Sequence, residues 1–249
     1  MTPKSTDPAS ASSADQSAAS SAGRSKRSRR GSLSREQVLA AAVRLVDVEG
    51  LDGLTMRRLG QELGRDPMAL YRYVPNREAL LDGVAEHVLD ELEIPTDGTE
   101  WQLELRRIAH DFRTLAMNHP HVVPLLVTRP PMTPLGLRPL GTLRPLERIL
   151  KLLTNAGFPP ADALHVYRTY FGFLFGSILN ELQEVGMDPE ESEAMLRLAL
   201  HRLPAQDFPH LRGLASELAR FDGAAELDHG LKAVLTGLQA QLDDPSPRP

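Results

Sequence analysis

LTMRRLGQELGRDPMALYRYVPN, running from Leu54 to Asn76, is the stretch that decides the fold. It reads as two short helices broken by a Gly-containing turn, with positive charge on the first and two tyrosines and an arginine on the second. That is the form of a helix-turn-helix whose second helix lies in a DNA groove. The punctuation around it agrees. Ser34 and Gln37 make a capping box for a first helix, with Leu33 set to staple onto Val38. Val38, Leu39, Ala42, Leu45 and Val46 recur on one face, and Gly50 stands where a C-terminal glycine is expected. Thr55 caps the second helix, Leu59 and Leu63 face inward, and Gly64 stops it. Asp66 caps the third, with Pro67 at the first helical position, where its missing N–H costs nothing. Asn76 caps a fourth, long helix carrying Leu80, Leu81, Val84, Val88 and Leu92 up to a break at Pro95. Every local choice supports the same arrangement.

Charge is split along the chain in the same sense. Residues 24–77 hold 12 Lys and Arg against 6 Asp and Glu, whereas the whole chain carries a net −5. A basic head on an acidic body suits a protein that docks one end on phosphates, although a solvated basic face has the same composition. Residues 1–23 are Ser/Ala-rich without apolar periodicity, which predicts disorder. They lack the apolar centre of a signal peptide, so the chain is expected to stay in the cytoplasm, at the nucleoid. RSKRSRR, Arg24 to Arg30, follows with five basic residues in seven. Next to a DNA-binding helix this reads as an arm on phosphates, with base reading left open. Arg (24) far outnumbers Lys (4), as a GC-rich bacterial coding genome would give.

Side-chain chemistry assigns the reading roles. Arg57, near the start of the second helix, offers two parallel donors to a guanine edge. Tyr71 and Tyr73 on the third helix present rings to sugars or thymine methyls and hydroxyls to phosphates, with Arg72 between them reaching a phosphate or a base. Met68 and Ala69 supply apolar contact. Arg77, with the first N–H groups of the fourth helix, is placed to clamp a phosphate. Leu59, Leu63, Leu70 and Val74 belong to the core.

The rest of the chain reads as a helical body. Trp101 to Asn118 carries Leu105, Ile108, Phe112 and Leu115 on one face and ends before His119-Pro120. Thr128 to Pro145 contains Pro130, Pro131, Pro134, Pro139 and Pro145 and predicts an irregular loop, followed by a helix through Ala156. Ala161 to Glu184 is a long apolar helix with Leu164, Tyr167, Phe171, Leu174, Phe175, Ile178 and Leu182. Asp188 caps another, to Leu203, and Asp222 to Leu242 closes the fold with Leu227, Leu231, Val234, Leu235 and Leu238. The long helix and the last one have more apolar surface than one face needs. Gly172 and Gly176, and Gly230 and Gly237, are spaced to let a partner helix approach, so a two-fold four-helix bundle in a homodimer is expected, or else two central helices of a monomer.

EGLDGLTMRRLGQELG and ALYRYVPNREALLDGV, within Ser34 to Glu93, resemble the DNA-binding domain of the tetracycline-repressor (TetR) family. WQLELRRIAHDFRTLAMNHP, VTRP and FDGAAELDHGLKAVLTGLQAQL resemble the ligand-binding half of the branch that contains the founding member. The resemblance implies a regulator, by default a repressor, that dimerises, binds double-stranded operator DNA and answers to a small molecule. It implies DNA contacts at Arg57, Met68, Ala69, Tyr71, Tyr73 and Arg77. It also implies what the effector is not. The positions that hold magnesium-tetracycline in the founding member fall here on Leu125, Ile108, Glu93 and Asn180, which removes the imidazole ligands and the polar anchor for the drug. What the alignment leaves is an apolar site of Ile108, Phe112, Leu125, Tyr167 and Phe171, with Thr128 and Asn180 as hydrogen-bond partners, suited to a largely apolar, metal-free molecule.

Other classes find little support. Without cysteine there is no disulfide framework or thiolate site, and no apolar run approaches the ~20 residues that span a bilayer, so no membrane partner is expected. The eight histidines are scattered, with no His-Glu-x-x-His, phosphate loop or nucleophile elbow, so no enzyme and no cofactor are expected. His119-x-His121, at a helix break, offers two imidazoles without a carboxylate cluster beside them, so a structural or surface role is expected, with a metal-responsive regulator as a minor alternative. A constitutive DNA-binding protein without an effector remains the alternative. The expected fold is all-α. It divides into a tail (1–30), a three-helix DNA-binding domain (31–78), a connecting helix (79–95), a ligand-binding and dimerisation domain (96–243) and a short tail (244–249).

Overall fold

Side chains that accept from the backbone of the next turn start the second, third and fourth helices. The computed structural model describes residues 33–96, 100–132, 137–184 and 189–243, and of residues 128–132, 184, 189–193 and 241 the backbone alone. The basic run Arg24–Arg30 and the proposed cap Asp188 lie outside the described residues. Among those described the chain is helical throughout: α1 (Arg35–Gly53), α2 (Met56–Leu63), α3 (Pro67–Leu70), α4 (Arg77–Leu89), α5 (Trp101–Asn118) and α6 (Val123–Met132) come first. After them come α7 (Leu140–Asn155), α8 (Pro160–Glu184), α9 (Pro189–Arg202), α10 (Pro209–Gly213), α11 (Ala215–Leu218) and α12 (Gly223–Asp243).

The caps are those the sequence dictates. Thr55 Oγ1 accepts from Arg58 N at 3.1 Å, Asp66 Oδ1 from Met68 N at 2.8 Å and Asn76 Oδ1 from Ala79 N at 2.7 Å. Gly64 closes α2 in the left-handed conformation (φ 60°), which turns the chain into α3. Leu54, Leu59, Leu70 and Val74 are buried with Val38, Leu45 and Val46 of α1, so α1, α2 and α3 form one small core. Its floor is α4, packed along α1 through Leu80, Leu81, Val84 and Val88.

Three boundaries differ from the sequence expectation. The third helix is a single turn, and Tyr71, Arg72 and Tyr73 lie in the turn after it, where Tyr73 N and Val74 N both return to Leu70 O. The fourth helix stops at Leu89 rather than near Pro95. There Glu91 N and Leu92 N bond three residues back, and the tightened turn sends Leu92 and Ile94 inward to bury both. The proline-rich segment is more helical than expected: α6 runs on to Met132 and α7 already begins at Leu140, with Pro145 inside it. A proline deletes only its own N–H, so Pro145 frees one carbonyl near the start of α7 and leaves the other bonds intact. The short α10 and α11 had no sequence signal, since Ala215 is their one buried residue among those described.

The body is built on α8, which packs against α7, α12 and α5. Its fully buried stripe is Ala163, Val166, Tyr170, Leu174 and Ile178. Tyr170 donates to Leu105 O at 2.6 Å, and burial, assisted by Asp111, pushes its phenol far above the usual range. One turn beyond Ile178 the stripe ends in a buried carboxylate. Arg113 of α5 grips Glu181 there with Nε at 3.1 and 2.8 Å and with Nη2 on Oε1. Gly230 of α12 sits against α8 of the same chain, where a Cβ would fall on the Phe173 ring. Its smallness therefore serves the α8–α12 contact within one chain, whereas Gly172, Gly176 and Gly237 face open space.

Two histidines tie the body to the head. His119 Nδ1 lies 3.0 Å from both carboxylate oxygens of Asp47 at the end of α1, and its Nε2 is 3.7 Å from Glu91. His121 Nδ1 donates to the carbonyls of Val46 and Asp47 at 3.1 and 3.2 Å. These carbonyls precede Gly50, whose φ of 73° breaks the helical ladder inside α1, and the imidazole supplies a donor at that break. Both histidines thus face α1, and no group of three or more His, Asp or Glu able to hold a metal occurs among the described residues.

Candidate nucleic-acid interface and effector cavity

The head turns arginines and a few apolar or aromatic side chains outward together. Met68 stands 74% exposed and Tyr71 41% exposed. Arg57, Arg72 and Arg77 are exposed, while Ala69 and Tyr73 are half-buried. Consecutive arginines on α2 separate by role. Arg58 is bound by Glu49 at 2.6 Å and approached by Glu62 at 3.8 Å, whereas Arg57 makes no hydrogen bond or ion pair among the described residues. The Arg72 guanidinium rests 4.8 Å from the centroid of the Tyr73 ring, a stacking contact that holds a flexible side chain in place. Arg77 donates to Leu51 O at 3.4 Å, so it also staples the start of α4 to the end of α1.

The second site lies inside the body, at the far end of α4. Leu89, Leu92 and Ile94, Ile108 and Phe112 of α5, Leu126 of α6, Thr142, Pro145 and Leu146 of α7, and Tyr167, Phe171 and Phe175 of α8 enclose a cavity of about 70 Å³. Its aromatic wall is one connected cluster: Tyr167 to Phe171 at 4.7 Å between centroids, Phe171 to Phe175 at 5.2 Å and Phe175 to Phe112 at 5.5 Å. The extra apolar stripe of α8 thus lines this space rather than an outer face. Thr142 Oγ1 donates to Pro139 O at 2.8 Å, which leaves it an acceptor toward the cavity. Arg138, between the described ends of α6 and α7, also reaches the wall. Burial raises the Tyr167 phenol, and the nearby Arg138 charge offsets part of that rise.

Of the expected effector residues, Ile108, Phe112, Tyr167 and Phe171 come together here. Leu125 is buried but turns away, and its neighbour Leu126 lines the wall instead. Thr128 falls in α6, with its side chain outside the described residues. Asn180 is exposed on α8 and belongs to a separate surface groove with Gly176 and Gly230. The alignment placed these residues by sequence distance, but one residue along a helix is a rotation of about 100°.

Comparison with known proteins identifies the family. Residues 38–84 match the family described as bacterial regulatory proteins, tetR family, and residues 94–242 match the tetracyclin repressor-like C-terminal domain. The chain belongs to the TetR family.

Its relatives among these bacterial DNA-binding transcription regulators include the tetracycline repressor protein class D of Escherichia coli. That repressor is 30% identical over 215 residues, 84% of this chain and 91% of the repressor. The HTH-type transcriptional repressor DrrR1 of Streptomyces coeruleorubidus is 28% identical over 84% of this chain and 78% of its own length. Among solved structures, the TetR-family protein ActR of Streptomyces coelicolor, in complex with actinorhodin, superposes with a TM-score of 0.71 at 28% identity, covering 85% of this chain and 99% of ActR. No helix of this TetR-family chain is long and apolar enough, among the described residues, to cross a membrane. Sequence reasoning missed Leu126, Arg138, Thr142 and Phe175 of the cavity, and also the Leu89, Leu92 and Ile94 side and Pro145 and Leu146 of α7. Phe175 carried a signal, since it follows Tyr167 and Phe171 at helical spacing on α8.

Proposed function

We propose that this chain is a homodimeric repressor that leaves its operator when a largely apolar small molecule, other than magnesium-tetracycline, enters the cavity. The observation that carries the reading is the span of α4. Its first residue, Arg77, is bonded to the end of α1 beside the DNA-reading turn, and its last turn and the residues after it, Leu89, Leu92 and Ile94, line the cavity. A ligand that displaces the cavity end of such a rigid element moves the head at the other end. Residues 31–78 then read DNA, 79–95 transmit, and 96–243 hold the effector and the partner subunit, with the regulator working in the cytoplasm at the nucleoid. Arg57, Met68, Ala69, Tyr71, Arg72, Tyr73 and Arg77 meet the duplex. Ile108, Phe112, Tyr167 and Phe171 meet the effector. The open faces of Gly172, Gly176 and Gly237 on α8 and α12 support the dimer, because two helices from each subunit can close there. ActR, whose structure contains actinorhodin, supports a small-molecule reading of the cavity.

The test has two stages. Selection from random duplexes with the full-length protein should return a site with two-fold symmetry. A thermal-shift screen of apolar compounds should then find binders that raise the melting temperature, and these should release the selected duplex in anisotropy titrations. Binders that leave the duplex bound would replace this reading with a constitutive DNA-binding protein.

A further inference from the structure

Of the two consecutive arginines in the first turn of α2, one is already engaged. Glu49, just before the Gly50 break in α1, takes Arg58. Its Oε1 accepts from Arg58 Nε at 2.8 Å and lies 2.6 Å from Nη2, and Glu62 Oε2 stands 3.8 Å from Nη1. Gly53 makes the room for this pair, because a Cβ there would fall on the Glu49 stem. The same turn between α1 and α2 holds Arg77, which donates to Leu51 O at 3.4 Å. Arg58 thus borders the turn that carries the arginine assigned to a phosphate, but with its charge already matched by a carboxylate. Moving it onto the duplex would exchange one anion for another. The exchange would also leave Glu49 bare against the negative backbone, so it gains little.

We propose that Glu49 is an affinity-limiting residue: it withholds Arg58 from the DNA backbone and so caps the sequence-independent share of binding. Phosphate contacts strengthen the hold on every sequence without telling one from another. An effector can weaken a complex only by its coupling factor, typically about 5–150-fold, so a hold kept moderate by Glu49 stays releasable. The inference rests on the DNA contacts assigned under "Proposed function" and adds to them a residue that acts without touching DNA.

The full-length protein is compared with Glu49→Gln, Glu49→Ala, Arg58→Met and the double variant Glu49→Gln/Arg58→Met, with helical content checked by circular dichroism. Anisotropy titrations against the selected operator and a scrambled duplex of equal length, at several salt concentrations, give the slope of log affinity on log salt. Each Glu49 variant should steepen that slope by ~0.9 for every phosphate gained, about 1.8 for the two subunits of a dimer. Both duplexes should tighten by the same factor. In the Arg58→Met background the steepening should vanish. An unchanged slope in both Glu49 variants would overturn the proposal. So would equal steepening with and without Arg58, which would make Glu49 a bare repulsive charge. A slope that falls by about 1.8 in Arg58→Met alone would overturn it as well, since Arg58 would then already hold a phosphate in the parent. Arg77→Ala, run alongside, tests the underlying DNA contacts by themselves: a slope equal to the parent's would strike that reading and the inference with it.

Discussion

Removing Arg113 should damage the fold more than its position near the surface suggests. Its guanidinium makes three hydrogen bonds to Glu181, whose side chain is only 7% exposed while that of Arg113 is 27% exposed. Arg113→Ala strands an ionised carboxylate in the α5–α8 core, beside the start of α12. Breaking a buried pair by removing one partner costs about 3–5 kcal/mol, and the partial exposure of Arg113 lets water relieve some of it, so about 2–4 kcal/mol is expected. For a chain of this size that lowers the midpoint by roughly 5–15 °C. The asymmetry is the sharper prediction. Glu181→Ala leaves an arginine that can swing into solvent and should cost about half as much, and the double variant should cost less than the sum by at least about 1.5 kcal/mol. Urea and thermal unfolding followed by circular dichroism, at one fixed protein concentration, give all four corners of the cycle. Additive losses, or an Arg113→Ala variant within about 0.5 kcal/mol of the parent, would refute the reasoning.

The head, the proposed dimer face and the cavity each carry a further test. Arg57→Ala should cost about 1–3 kcal/mol on the selected operator and loosen one base pair, whereas Arg77→Ala should weaken all duplexes alike and flatten the salt dependence. Binding curves on operator and scrambled DNA at several salt concentrations decide between the roles. Gly176→Leu puts a side chain into the open face of α8 and should shift sedimentation from dimer to monomer with helical content unchanged, because overpacking costs about 1–3 kcal/mol; a variant that still sediments as a dimer would exclude the bundle. Magnesium-tetracycline should release no DNA, since Leu125 and Ile108 offer the ion and the drug no ligand; release at micromolar drug would contradict this.

What could be read from the sequence follows the range of the interactions involved. Thr55, Asp66 and Asn76 were readable because each bonds a backbone N–H two or three residues ahead, a distance fixed within the chain itself. The length of α5 was equally plain, its apolar period running from Trp101 to the break before His119. The cavity was readable only by halves. Ile108, Phe112, Tyr167 and Phe171 sit on faces that periodicity defines, but the choice between Leu125 and Leu126 depends on how α6 is rotated, which its neighbours set. Arg138 gave no signal, because its segment reads as a proline-rich loop and its approach to Tyr167 spans twenty-nine residues of chain. Asn180 was placed by alignment on a face that turns to the outer groove instead.

Gly141, near the start of α7, is buried against the Glu86 side chain of α4, on the spot a Cβ would occupy. Glu86 is itself held by Arg35 at 3.2 Å, so it cannot yield without giving up an ion pair. A methyl group at residue 141 would meet that side chain, and either Glu86 swings aside and leaves Arg35 or α7 backs away from α4 with Thr142, Pro145 and Leu146. Gly141→Ala thus tests from behind the wall which of the two gives way, by whether the Arg35–Glu86 pair or the cavity changes. Where α7 is the element that moves, one codon at residue 141 resizes the cavity while every residue lining it stays the same.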